Sequence, residues 1–286
     1  MSSRRAALLV GCGLVSLLTY LVVTLQLPLW RYGTRLQGWS QLLCGDSACL
    51  SRPWGGLAAC LAGLGILVTA YLCGWHILRG GGSPCPEQVR QARWITWGFA
   101  VLFAATLFWL MPITADLFNY FGQAHQFTDQ GTNPLLVAAL DLTEVGSVRG
   151  QLASSYFTAY ASSPTIYGPA WVLFSLPAAL GHQGGVGGLF YLKGLAFAAF
   201  LGGAWLLERT LRAMVAASIP MRGSLRSVEA LYLFAWNPLV LMMAVGNGHN
   251  DIVMVALVLM ACWLLVRESW SLAFAALALS VWIKYI

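Results

Sequence analysis

Long apolar runs alternate with short polar connections along the whole chain. The runs extend from about Ala6 to Leu27, Trp54 to Leu78, Trp94 to Ile113, Val186 to Leu207, Glu229 to Val245, Ile252 to Val266 and Trp270 to the end. A helix of about 20 apolar residues crosses ~30 Å of hydrocarbon, so the pattern predicts about seven spanning helices. Ser3-Arg4-Arg5 precedes the first run and no small-residue cleavage site follows it, which reads as a retained helix with a cytoplasmic N-terminus. The Arg79-Gly-Gly-Gly to Arg93 connection is basic, and its glycines with Pro84 and Pro86 predict a non-helical cytoplasmic loop. The longest polar stretch, Thr114 to Pro164, carries Asp116, Asp129, Asp141 and Glu144 against Arg149. Within it, Pro134 to Leu140 reads as a short interfacial helix. Tyr156, Tyr160, Tyr167 and Trp171 suit the aromatic belt at headgroup depth.

One apolar segment, Ile166 to Leu180, is short and interrupted by Pro169 and Pro177. Charge decides how to read it. If it does not cross, ten Lys and Arg (4, 5, 79, 90, 93, 209, 212, 222, 226, 267) lie on the cytoplasmic side and five (31, 35, 52, 149, 284) outside, with Lys193 inside a span. A crossing would flip every later loop and reverse the balance to six against nine. Positive charge concentrates in cytoplasmic loops, so the segment is predicted to be re-entrant or interfacial.

Composition supports this picture. The chain is 59% hydrophobic and 9% charged, against about a quarter charged in soluble proteins. It is expected to be an all-α polytopic membrane protein, with residues 1–93 as an N-terminal two-helix segment and 94–286 as the core. The net charge of +6 is explained by topology, because the Arg residues lie mainly between apolar runs; no nucleic-acid partner is predicted. Of seven Cys, Cys12, Cys60, Cys73 and Cys262 sit in apolar runs as packing residues. Cys44 and Cys49 bracket a Gly-Asp-Ser-Ala turn and could form a disulfide in an oxidising compartment or remain thiols.

With that topology, three polar features reach one outer face: Asp116 after the third span, Gly246-Asn-Gly-His249-Asn250-Asp251 between two later spans, and Lys284 near the end. Polar groups at membrane depth mark functional sites, although the same residues could solvate a turn, and a lone Lys at a helix end can snorkel to the headgroups. An acceptor hydroxyl attacking a carbon needs a carboxylate base, for which Asp116 is the candidate. A departing phosphate needs donors, for which Lys284, His249 and Asn250 are candidates. Asp251 and His249 are two metal-capable ligands and do not define a metal site, so none is predicted. No glycine-rich nucleotide loop is present.

The ordered motifs Asp116-Leu-Phe-Asn-Tyr120, Gly131-Thr-Asn-Pro134, Tyr167-Gly-Pro169, Trp236-Asn-Pro-Leu239, Gly248-His-Asn-Asp251 and Lys284-Tyr285 resemble those of polyprenol-phosphate-mannose-dependent α-1,6-mannopyranosyltransferases of the GT-C superfamily. The resemblance covers roughly Trp94 to Ile286. It implies a GT-C-like helix bundle in the plasma membrane, with the active face extracytoplasmic. It also implies transfer of mannose or another hexose from a polyprenyl-phosphate donor to a glycan or glycolipid acceptor, without a cofactor. Asp116 then becomes the catalytic residue, and Tyr120, Asn133, Tyr167, Asn237, His249, Asn250, Asp251 and Lys284 the substrate-binding set. The family's sequences continue with further helices beyond Lys284-Tyr285, so the core is expected to be incomplete at its C-terminus. A transporter or flippase, or a non-catalytic shortened relative, is the alternative. Against transport, the charged candidates cluster at one outer boundary, and no paired interrupted helices occur in matching halves.

Overall fold

The computed structural model describes residues 3–29, 53–80, 85–114, 116–138, 163–180, 186–216 and 225–284. The predicted residues Cys44, Cys49, Asp141, Glu144, Arg149, Tyr156, Tyr160 and Tyr285 lie outside these. The architecture is all-helical: α1 (Ser3–Gln26), α2 (Pro53–Arg79), α3 (Pro86–Phe108), α4 (Asp116–Gln130), α5 (Pro169–Ser175) with a 3₁₀ turn (Leu176–Ala179), α6 (Val186–Ala216), α7 (Leu225–Ala235), α8 (Pro238–Gly246), α9 (Asp251–Val266) and α10 (Trp270–Val281). Proline opens four of these helices, where its missing N–H has no intrahelical partner to lose and its fixed φ suits the first turn.

Polar contacts reveal how the helices run. At one end, Arg5 Nη2 donates to Gly80 O at 2.6 Å, Arg79 pairs with Glu229 at 3.2 Å and Arg93 with Glu208 at 2.6 Å. Trp75 and Trp97 indoles donate to the same two carboxylates. The start of α1, the end of α2, the start of α3, the late turns of α6 and the start of α7 therefore gather there. At the other end, Leu29 N donates to Trp109 O at 2.7 Å, and Met111 N to Leu27 O at 2.8 Å. The end of α3, the early turns of α6, the end of α8, the start of α9 and the end of α10 meet at this second end. Between the ends, Trp236 packs edge-on against Phe99 and Phe103, with centroids 5.3 and 5.2 Å away, and its indole donates to Thr96 O. Tyr20 joins the same cluster through Phe103, so α1 shares the core.

Among the described residues three helices, Ser3–Gln26, Leu61–Arg79 and Gly187–Val215, are long and apolar enough to cross a membrane, or four if α7 and α8 count as one bent span. The other predicted spans differ for identifiable reasons. The first two turns of α3 carry Glu87, Arg90 and Arg93. α9 and α10 have 16 and 12 residues, rising about 24 and 18 Å. The predicted Glu229–Val245 span bends by 45° at Trp236-Asn237-Pro238, where Pro238 cannot donate to the preceding turn.

Three loop predictions are corrected. Residues 86–93 are helical because Pro86 initiates α3 instead of excluding it. The polar stretch after Thr114 holds a 15-residue helix, α4, whose apolar Leu117, Phe118, Tyr120, Phe121 and Ala124 are buried despite its polar composition. The expected helix at Pro134–Leu140 is a single turn in its described part, with Asn133 O accepting from Leu136 and Val137 N. The 3₁₀-extended α5 rises roughly 18 Å, well short of a hydrocarbon core. Both of its ends stay at the second end of the bundle, where Tyr167 precedes it and Tyr191 of early α6 donates to Phe174 O.

Candidate active site

Asp116 is the first residue of α4, where unpaired N–H groups favour a carboxylate. Its Oδ1 accepts from the Tyr167 hydroxyl at 2.5 Å, and its Oδ2 lies 3.4 Å from His249 Nε2. Tyr167 is held by Tyr120, which stands edge-on between Tyr167 and Trp171 with both centroids 4.8 Å away. Burial, first of all, pushes both tyrosine hydroxyls well above their ordinary range, with the Asp116 charge adding to the effect. They remain protonated donors. Tyr120 accordingly donates to Asn250 Oδ1 at 3.1 Å.

The Gly-His-Asn-Asp loop owes its path to two glycine-dependent features and one asparagine. α8 ends as a π-helix, Leu241–Gly246, a winding frequent at functional sites. Asn247 is fully buried, accepting from Ile113 N at 2.7 Å and donating to Met242 O at 3.0 Å, so it ties the loop to the end of α3. Gly248 has φ +70°, and a Cβ there would lie 2.7 Å from Leu117 Cδ1. Only glycine meets both conditions without strain. The turn then delivers His249 between two carboxylates, Nε2 towards Asp116 and Nδ1 3.6 Å from Asp251 Oδ2. Thr114 Oγ1 lies 3.1 Å from the same Nε2. Asn250 is buried, and its Nδ2 has no partner among the described residues.

The end of α10 completes the cluster through backbone pairing. Gly168 N donates to Ile283 O at 2.9 Å and Ala170 N to Trp282 O at 3.1 Å, and Tyr167 bridges Lys284. A Cβ at Gly168 would overlap the Trp282 carbonyl, which explains the glycine of Tyr-Gly-Pro. Lys284 Nζ thereby reaches Asp251 Oδ1 at 2.9 Å. His249 facing it, and then Lys284, hold the Asp251 carboxyl well below the usual carboxylate range. The pair is 28% and 40% exposed, so its contribution to stability is about 0–1 kcal/mol and its effect is mainly positional. Asp116, His249, Asp251 and Lys284 thus form a line of alternating carboxylates and bases. Among the described residues no three His, Cys, Asp or Glu side chains converge on one metal-sized point.

Two predicted ligands stand outside this cluster. Asn237 caps α8, accepting from Leu239 and Val240 N at the bend. Asn133 Oδ1 accepts from Leu135 N within its own turn. Both amides serve local capping, as asparagine does wherever a backbone turn leaves N–H groups free. Residues absent from the prediction take part instead. Thr114 and Asn247 belong to the site's frame. So does Lys193, which is fully buried on α6 and donates to Leu110 O at 2.6 Å, Gly246 O at 2.8 Å and Leu107 O at 3.3 Å. Its amine meets three carbonyls at the ends of α3 and α8, so this buried side chain fixes the frame that presents Asp116 and His249.

Neither the curated proteins nor the solved structures contain a match to the chain. A family model does: the alpha-(1->6)-mannopyranosyltransferase N-terminal domain matches residues 35–286. Its span contains every member of the cluster, from Thr114 to Lys284. The chain belongs to the alpha-(1->6)-mannopyranosyltransferase family.

Proposed function

We propose that the protein is a GT-C-type membrane mannosyltransferase that uses a polyprenyl-phosphate mannose donor and a glycan or lipid-linked acceptor on the extracytoplasmic face of the plasma membrane. The observation that carries this reading is the Asp116 carboxylate, oriented by Tyr167 and flanked by His249, with a Lys284–Asp251 pair beyond it. The acceptor oxygen forms a bond to the anomeric carbon while the bond from that carbon to the phosphate oxygen breaks. Asp116 takes the acceptor proton, and the lipid phosphate leaves carrying the electron pair. His249, Lys284 and the unpartnered Asn250 Nδ2 are donors suited to the charge developing on that phosphate. A single displacement inverts the carbon, so an α-linked product calls for a β-linked donor.

The orientation follows from charge. Arg5, Arg79, Arg93 and Arg212 lie at the end of the bundle opposite the cluster, and positive charge collects on the cytoplasmic side. About seven spans, with α5 re-entrant, satisfy that rule. The test is transfer of labelled mannose from polyprenyl phosphate in membranes. Asp116→Asn keeps the carboxylate's shape but removes the basic oxygen, and should lower transfer at least about a hundredfold while donor binding persists. Near-native turnover by this variant would place the base elsewhere.

A further inference from the structure

At the end of the bundle opposite Asp116, most arginines are neutralised. Arg79 pairs with Glu229, Arg93 and Arg212 with Glu208, and Arg90 with Glu87. Arg209 and Arg267 are exposed there, and neither pairs with a carboxylate among the described residues. Glu208, next to Arg209 in the chain, is buried and turned to Arg93 and the Trp97 indole, and Glu268 follows Arg267 without pairing with it. Each free arginine instead lies over an indole one turn back. Arg209 Cζ is 5.2 Å from the Trp205 centroid and Arg267 Cζ 5.9 Å from that of Trp263. The i, i+4 spacing produces this, because helical side chains lean towards the N-terminus. α6 and α9 both run towards this end and touch near the indoles, where a Cβ at Gly203 would lie 3.6 Å from Leu259 Cδ1 and 3.8 Å from Ala256 Cα. The two indole centroids are 6.1 Å apart, so the Arg-over-indole units stand side by side on neighbouring helices.

We propose that Arg209 and Arg267 bind the headgroup of an anionic phospholipid in the leaflet at this end, with Trp205 and Trp263 as the floor of the site. Stacking on an indole occupies the face of a guanidinium and leaves the N–H groups along its edge, which match phosphate oxygens in pairs. Two adjacent positive charges without a carboxylate favour a ligand of net negative charge over a zwitterion, whose own ammonium they repel. The position favours a lipid over a soluble anion. Trp205 is 43% exposed, and indoles collect at headgroup depth. Ala198, Gly202 and Trp205 follow the i, i+4, i+7 spacing of one face of a helix long and apolar enough to cross a membrane, so acyl chains have an apolar surface to follow from the headgroup. The site lies away from the Asp116 cluster and does not rest on the transferase reading.

Native mass spectrometry tests it by resolving one-to-one lipid complexes of the purified full chain in detergent. The probes are dioleoyl-phosphatidylglycerol and dioleoyl-phosphatidylcholine, titrated into the native chain, Arg209→Gln, Arg267→Gln and the Arg90→Gln control. The native chain should bind phosphatidylglycerol more tightly than phosphatidylcholine, and each change at Arg209 or Arg267 should weaken the former by roughly fivefold with little effect on the latter. Arg90→Gln removes the same charge at the same end and should leave both affinities unchanged. Equal affinity of the native chain for the two lipids, or an equal loss from Arg90→Gln, overturns the site, since only the general potential would then act. A loss caused by Lys284→Met instead would place the lipid phosphate in the Asp116 cluster and also overturn it. Displacement of phosphatidylglycerol by glycerol phosphate, which carries the headgroup chemistry without acyl chains, would overturn the choice of a lipid.

Discussion

Replacing Lys193 with Met tests whether the frame behind the site depends on one buried amine. Met follows much the same path and leaves little void, so the effect isolates hydrogen bonding. Of the three carbonyls that Lys193 serves, Leu107 O also accepts from Leu110 N at 3.0 Å and keeps a partner. Leu110 O and Gly246 O lose their 2.6 and 2.8 Å bonds. A stranded buried acceptor costs about 1–3 kcal/mol, so two amount to ~2–6 kcal/mol, towards the lower end because the variant no longer buries an amine. Reversible unfolding in mixed micelles, compared with the native chain, measures this directly. Leu110 and Gly246 lead into the segments that carry Asp116 and His249, so transfer should also fall at temperatures where the variant remains folded. A loss below about 1 kcal/mol with transfer intact would refute the argument, since two orphaned carbonyls cannot cost so little.

The glycine of the His-Asn-Asp loop offers a second test. Gly248→Ala should destabilise by at least about 2 kcal/mol, combining ~1–2 kcal/mol for a non-glycine left-handed residue with the Leu117 contact. Adding Leu117→Val should restore only the contact share in the same unfolding assay; full restoration would show that φ contributes nothing. A third test concerns pH. The Asp251 carboxyl is held low, so the stability it contributes is fully present above its ordinary value near 3.9 and is lost only as pH falls through its lowered one. Native protein and Asp251→Asn should therefore show parallel stability profiles between about pH 7 and 5. A loss confined to the native chain in that window would contradict the pairing.

The apolar runs made most helices legible, because burial in lipid and burial in a bundle both demand them. They concealed what depends on polar atoms facing inward. α4 read as a loop since eight of its 15 residues are polar or charged, yet Asn119, Gln123 and Gln126 share one helical face that a periodicity count would have shown. Lys193 was visible as a lone cation in an apolar run, but its partners are backbone carbonyls, which no sequence displays. The motifs were legible as motifs without their division of labour. Trp236 fills the core, Asn237 caps a bend, Asn247 ties a loop, and Gly168 and Gly248 admit close neighbours. Asp116, Tyr167, His249, Asp251 and Lys284 instead present side-chain atoms to one another. The scaffold residues are exacting in identity too, because a Cβ at Gly248 would meet Leu117 Cδ1 at 2.7 Å in a left-handed backbone. Residue type and order alone therefore cannot separate the two groups; the partners of each side chain can.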